Sequence, residues 1–437
     1  MSIDKVRPVQ TSVVDEPRES RIRAWSVTLV LVLLNVINWA DKAVLGLVAQ
    51  PLAQELGLTA SQIGLVGSGF FLTFAVSGFF AGLLNKWMTL RGLMVLLSLA
   101  WAATMLPMVV VASFSVLMVA RLALGMAEGP SSALVHTAVY SWHPPQKRGL
   151  PGAWIASGAS LAKIAVAPAL AVVVATWGWR AAFVTLAAVG AAWCGLWLVA
   201  WSEGPYIDRR PSRTAAPEKE TEPQPTVRWT RIFRTPSFLG GAVAMYSVYA
   251  LVSTVLTWLP SYFEVGLGYS RLQAGTMFGF PSIVGMVAMI VSTSLSDRLL
   301  DRGASSRLLR GALPGTGLLI CGLAMVALPF IGTPALAVGV VSVGYGIGAI
   351  VIPLFNAAIS QICPPRQLAG TLGVFLALMS LGGLVAPYLT GVIVDAASSP
   401  AEGYASAFQV FGVTAVVASL IALLTVNPER DARRVLG

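Results

Sequence analysis

The sequence predicts an all-α membrane protein: twelve transmembrane helices arranged as two pseudo-symmetric six-helix bundles. Three observations carry that reading. Hydrophobic residues make up 56% of the chain and charged residues only 11%, where a soluble domain carries about 25% charged residues. Apolar stretches of roughly 20 residues, the length that crosses a bilayer, recur about twelve times. The chain also repeats itself weakly: WHPPQKRGLPGAW, from Trp142, is answered by ICPPRQLAGTLGV, from Ile362, 220 positions later.

The first six spans read as 24–48, 61–84, 91–111, 115–140, 150–175 and 180–201. The second six read as 237–263, 272–295, 311–331, 335–358, 369–394 and 405–425. Residues 1–23 form an N-terminal tail, 24–201 the first bundle, 202–236 a linker, 237–425 the second bundle and 426–437 a C-terminal tail. The linker contains PSRTAAPEKETEPQP, too polar to pack and therefore solvated. Residues 1–20 and the tail NPERDARRVLG read as mobile ends. Further echoes support the two halves. Ala167-Pro168 is matched by Ala386-Pro387, Ala182-Phe183 by Ala407-Phe408, and LNKWMTLRG by LSDRLLDRG at 295–303. Parallel repeats of six helices place a substrate site near mid-membrane, between the halves.

Charge placement orients the chain. Of 29 Lys and Arg residues, 24 fall on one side or in the termini, two on the other side and three inside spans. By the positive-inside rule the basic side, with both termini, is cytoplasmic. The net charge of +10 is therefore a topology signal, not a nucleic-acid footprint. Cys194, Cys321 and Cys363 have neither disulfide nor metal spacing. No metal and no cofactor is expected. The first apolar run lacks a small-residue cleavage site and is not read as a cleaved signal.

The informative residues are charges inside apolar spans: Asp41, Lys42, Arg121, Glu128 and Lys163. A charge at the bilayer centre costs roughly 2.5–3.5 kcal/mol on insertion scales, so such residues usually face a water-filled path. Asn35, Asn38 and Lys42 fall at i, i+3 and i+7 and form one polar stripe. Arg121 and Glu128, seven apart, share a face of the fourth span. Three cations and two acids sum to +1, so the site favours an anion, more so when an acid is protonated. Asp41 and Glu128 are the candidate proton carriers, with Arg121 as their counter-charge, since burial raises a carboxylate pKa and a nearby cation lowers it. Lys42 is the candidate anchor for a substrate carboxylate. Lys163 would contact a second anionic group, snorkel towards the headgroups, or pair with Glu128. Asn38, Trp39 and Phe74 complete the expected binding set. His136 reads as a polar packing residue, and the glycines of GYGIG at 344–348 as helix-packing positions.

These stretches resemble the major facilitator superfamily. More narrowly, they are similar to its anion:cation symporter branch, which includes bacterial sugar-acid permeases and the animal vesicular glutamate and sialic-acid carriers. The resemblance rests on NVINWADKAVL in the first span, RLALGMAEGPSSA in the fourth, WHPPQKRG after it, WGWRAAF and AWCGLWLVAWSEGP around the sixth, and LTWLPSYF in the seventh. It implies proton-coupling roles for Asp41 and Glu128. Departures from the family pattern are informative. Asn85-Lys86 stands where the loop signature has Asp-Arg, while Asp297-Arg298 keeps it. Lys42 replaces an Arg, Trp39 and Phe74 replace Tyr, and Ala159 and Met245 replace Gln. Groups that would bind sugar hydroxyls are thus apolar here.

The expected function is import of an organic carboxylate, aromatic or short aliphatic, by proton symport with alternating access in the cell membrane. Sodium is the other coupling ion considered, since Asp41 with helix-break carbonyls could hold it. The expected partners are a small organic anion, protons and the lipid bilayer, with no nucleic acid; a monomer is expected. An efflux antiporter is the first alternative, weakened because SGASLAKIAVAPAL lacks the G-x-x-x-G-P pattern of exporters. A non-transporting sensor would need a cytoplasmic domain larger than the linker or tails supply. An enzyme would need a catalytic constellation, and none stands out.

Overall fold

The computed structural model describes residues 18–78, 80, 84, 87–144, 148–206, 227–364 and 367–436. The Asn85-Lys86 signature and most of the linker lie outside the described residues. Among the described residues the chain is helical, with no strand. The first half comprises α1 (Arg18–Leu56), α2 (Ala60–Gly78), α3 (Leu90–Met105), α4 (Phe114–Glu128), α5 (Ser131–Tyr140), α6 (Gly149–Leu161), α7 (Ala167–Trp177) and α8 (Trp179–Ala200). The second comprises α9 (Pro236–Ser261), α10 (Arg271–Met277), α11 (Phe280–Asp301), α12 (Leu313–Ala327), α13 (Pro334–Gly348), α14 (Val351–Ile362), α15 (Leu368–Ala396), α16 (Pro400–Thr425) and the short α17 (Pro428–Leu436).

Eleven helical segments among the described residues are long and apolar enough to cross a bilayer, which makes this a multi-pass membrane protein. The fourth expected span, 115–140, differs from expectation: it is two helices, α4 and α5, meeting at Gly129-Pro130. Pro130 has no N–H to give the carbonyl of Met126 four residues earlier. The tenth span breaks likewise at Ala349-Ile350, where Pro353 cannot donate to Ala349. Ala349 stands 220 positions after Gly129, so the repeat extends to the helix breaks. In the fifth span the ladder loosens to a π-helical turn over Ala162–Val166, between α6 and α7. Pro168 supplies the cause: it cannot donate to Ile164, and its ring crowds that carbonyl. The extra residue of a π turn takes up the misfit.

The halves pack α1 on α9, α2 on α15, and α6–α7 on α10–α11. Among the described residues, every hydrogen bond between them lies at the end holding the α1–α2 turn. The Asp395 carboxylate accepts from the backbone N–H of Ala60 at 2.9 Å and of Ser61 at 2.8 Å, capping the start of α2 from the other half. Gln50 donates to the Tyr404 hydroxyl at 3.1 Å, and the Tyr388 N–H donates to Ser68 Oγ at 3.1 Å. Gly64 permits the approach: a Cβ there would stand 2.9 Å from Tyr388 Cα. A cleft of about 260 Å³ opens beside this seam, lined in part by Gln50, Ile63, Trp258, Asp395 and Tyr404.

The C-terminal segment corrects the expectation of a mobile tail. Residues 428–436 form α17, with Asp431 and Val435 buried. Val435 packs with Ile232 and Cys363. Asp431 accepts from Arg430 Nε at 2.8 Å and from the Ser237 N–H at the start of α9 at 2.9 Å. The tail is polar in composition, but one side chain satisfies a helix N-terminus that would otherwise be orphaned.

Two expected outcomes rest on these bonds. Replacing Asp395 with Ala removes a charged acceptor whose bonds are worth roughly 1.5–3 kcal/mol each. In a background lacking the three native cysteines, maleimide labelling of a cysteine at Ile63 should then speed up by about tenfold; an unchanged rate would remove Asp395 from the seam. The second concerns pH. Burial works to raise the Asp431 pKa, but bonds from Arg430 and Ser237 outweigh it and hold the carboxyl below its ordinary value. A depressed folded-state pKa gives stability that is complete above the unfolded value, about 3.9, and lost as pH falls through the folded one. Wild type should therefore melt a few degrees above Asp431→Asn at pH 7, with the gap closing below about pH 4.

Candidate functional site

Four of the five intramembrane charges, Asp41, Lys42, Arg121 and Glu128, meet where α1, α2 and α4 converge. Gly129 ends α4 against α2: a Cβ there would stand 2.9 Å from the Gly78 nitrogen and closer still to Ser77 Oγ and Phe74 O. Ser77 Oγ reinforces the contact by donating to the Gly125 carbonyl at 3.2 Å. This close approach brings the rings of Phe70 and Phe74 and the Glu128 carboxylate towards the same point of α1.

That point is Lys42. Its ammonium donates to Glu128 Oε2 at 2.5 Å and to Asn38 Oδ1 at 2.5 Å, with a longer bond to the Asn38 carbonyl at 3.3 Å. Three rings surround it, with centroids at 5.5 Å (Trp39), 5.5 Å (Phe70) and 5.0 Å (Phe74). Each is within cation–π range. Lys42 is 7% exposed and Glu128 fully buried. Of the alternatives open in the sequence, the pair that forms is Lys42 with Glu128.

Arg121 and Asp41 lie alongside without forming an ion pair. Arg121 Nη1 donates to the backbone carbonyl of Asp41 at 2.9 Å. Both side chains are 3% exposed, and among the described residues neither lies within ion-pair distance of an opposite charge. Four buried atoms in this cluster find no partner among those residues: Asn38 Nδ2, Asp41 Oδ1, Arg121 Nη2 and Glu128 Oε1. Buried polar groups are normally satisfied, so this concentration of unused donors and acceptors singles out the cluster as the candidate site.

Lys163 sits apart, in the π turn of the fifth span, and is 8% exposed. It neither pairs with Glu128 nor makes a hydrogen bond among the described residues. Its ammonium stands 5.9 Å from the ring centroid of Tyr345 on α13. The polar stripe of the first span divides. Asn38 and Lys42 join the cluster, while Asn35 Nδ2 donates to the Ile155 carbonyl at 2.6 Å and fastens α1 to α6. His136 Nδ1 bonds the Ser132 carbonyl at 2.8 Å and its ring packs on Tyr140, away from the charges. Sequence reasoning missed two residues on this wall: Tyr345, and Tyr249, whose ring meets Phe71 at 5.9 Å. The available signal was a tyrosine set among glycines at 344–348. No group of three His, Cys, Asp or Glu side chains that could hold a metal occurs among the described residues.

Comparison with known proteins bears on the family and the fold. The chain is 25% identical to the hexuronate transporter of Bacillus subtilis over 92% of its own length and 94% of that protein. It is 27% identical to the "probable sulfoacetate transporter" of Cupriavidus necator over 91% and 93%. In fold it matches a bacterial homologue of the human lysosomal transporter Spinster in an inward-facing, occupied conformation, with a TM-score of 0.77 at 19% identity, over 96% of this chain and 99% of that one. The family and these relatives are transporters, not enzymes. The family model named Major Facilitator Superfamily matches residues 31–350 and 312–436, and the chain belongs to that superfamily.

Proposed function

We propose that the chain imports an organic carboxylate together with protons across the cell membrane, by alternating access. The observation that carries this is the buried Lys42–Glu128 pair within its ring of Trp39, Phe70 and Phe74. A substrate carboxylate and Glu128 compete for one ammonium. The substrate takes Lys42 when Glu128 is protonated and releases it.

Charge arithmetic favours coupled movement. Lys42, Arg121, Asp41 and Glu128 sum to zero with both acids ionised. Adding one carboxylate and one proton leaves zero again. A proton alone makes the cluster +1 and a carboxylate alone makes it −1. Either imbalance in a bilayer costs roughly 2.5–3.5 kcal/mol or more. The carrier therefore reorients with both passengers or with neither. Arg121 and Asp41, with their unused Nη2 and Oδ1, supply the second proton-sensitive position. The names of two relatives, hexuronate and sulfoacetate, support the organic-acid class. The apolar wall of Trp39, Phe70, Phe71 and Phe74 supports an aromatic or short aliphatic body over a polyhydroxylated one. With the basic loops facing the cytoplasm, the hydrogen-bonded seam at Asp395 is the outer gate.

The direct test is uptake of labelled carboxylates into proteoliposomes under an imposed pH gradient. Glu128→Gln mimics the protonated acid, so it should abolish gradient-driven accumulation while retaining counterflow. Wild-type accumulation in both Glu128→Gln and Asp41→Asn would refute the proton assignment. Lys42→Ala should weaken carboxylate binding roughly 10- to 150-fold, the range set by losing a charge-assisted bond of about 1.5–3 kcal/mol. It should also destabilise the fold by about 3–5 kcal/mol, because Glu128 is left buried without its cation. Lys42→Ala with unchanged affinity would show that the anchor lies elsewhere.

A further inference from the structure

Lys163 and Tyr345 stand together outside the Lys42–Glu128 cluster. Lys163 is a buried cation without an acid. Among the described residues its only charge-related neighbour is the face of the Tyr345 ring, at 5.9 Å. A ring face stabilises an ammonium far less than a carboxylate does. The ammonium is not among the partnerless polar atoms sealed from solvent, and neither is the Tyr345 or the Tyr249 hydroxyl. All three residues are 8% exposed, and none of these polar atoms has a hydrogen-bond partner among the described residues.

The surrounding fold holds this pair in place. The π turn at Ala162–Val166 displaces Lys163 from the regular helical register. Gly279, at the join of α10 and α11, packs against that turn, where a Cβ would stand 2.8 Å from the Lys163 carbonyl. Gly346 beside Tyr345 lets α13 approach Val284 of α11, where a Cβ would stand 2.7 Å from Val284 Cβ. Close packing thus brings a cation of the first half against a phenol of the second.

We infer that Lys163 and Tyr345 form a second anion subsite, so that the preferred substrate carries two anionic groups, one on Lys42 and the other bridging the halves at Lys163 and the Tyr345 hydroxyl. This rests on the carboxylate reading of the Lys42 site and adds the class of substrate to it. Tyr345 is a specificity residue with two parts. Its ring carries the ammonium, and its hydroxyl donates to the distal anion. A monoanion uses Lys42 alone and leaves the second subsite out.

The test is binding of two matched pairs to the purified carrier in detergent, by calorimetry at pH 6: benzoate with terephthalate, and butyrate with succinate. Wild type should bind one diacid at least roughly tenfold tighter than its monoacid, as one additional charge-assisted hydrogen bond would give. Lys163→Met should bring that ratio close to one while leaving monoacid affinity unchanged. Tyr345→Phe keeps the ring and removes the hydroxyl. It should weaken the diacid by roughly three- to tenfold, the loss expected for one hydrogen bond, with under twofold change for the monoacid. Tyr345→Phe is conservative enough to fold, which keeps the test decisive if Lys163→Met does not. Monoacid binding with no diacid preference, or equal losses for both ligands in Tyr345→Phe, overturns this inference alone. Failure of wild type to bind any of the four acids overturns the carboxylate reading and this subsite with it.

Discussion

A charge inside a bilayer is costly unless it is paired or meets water, and in this protein the partner of Lys42 is Glu128. Much of the first half follows from satisfying that pair. Gly125 and Gly129 bring α4 against α2, Pro130 ends α4 just after the acid, and Phe70 and Phe74 enclose the ammonium. A buried ion pair of this kind is weak evidence for stability, since packed apolar residues of similar volume often do as well. Under the proposed function the pair is a working one, not only a structural one. The Oε1 of Glu128 and the Oδ1 of Asp41, without a hydrogen-bond partner among the described residues, are the atoms that the proposed coupling assigns to protons.

The second half answers the first in outline and not in chemistry. The helix breaks at Gly129-Pro130 and Ala349-Ile350 stand 220 positions apart, so Glu128 corresponds to Gly348. There the glycine packs against Cys321, whose Sγ would lie 3.0 Å from an added Cβ. One half holds the fixed charges. The same half supplies the Trp39, Phe70 and Phe74 rings around Lys42, and the other half contributes the phenols of Tyr249, against Phe71, and Tyr345, against Lys163. In the alternating access proposed above, this uneven distribution of charge lets the halves shift against each other without dragging ions past each other.

Much of this was legible in the sequence, for reasons that differ by residue. The twelve spans and the five intramembrane charges stood out because apolar context is so unforgiving of charge. Which acid would hold which cation was not legible, because it depends on how closely α2 and α4 approach. Periodicity put Asn35, Asn38 and Lys42 on one stripe, but a stripe wide enough to touch two neighbours does not say which one each residue meets. Asn35 meets α6. The tyrosines were missed because a phenol is unremarkable in a membrane helix until its hydroxyl is seen to lack a partner among the described residues. The terminal segment was misread because its composition is polar, and composition does not reveal that Asp431 reaches the N-terminus of α9.

The seam at Asp395 has a consequence for how this region can vary. Its donors are the main-chain amides of Ala60 and Ser61, not their side chains. Any amino acid other than proline brings the same N–H to those two positions. Mutational drift at 60 and 61 is therefore tolerated as far as hydrogen bonding is concerned, while the acceptor at 395 admits only a side chain of the right length with two oxygens. Substitution should be lopsided across this contact: permissive on the helix that donates, restrictive on the one that accepts.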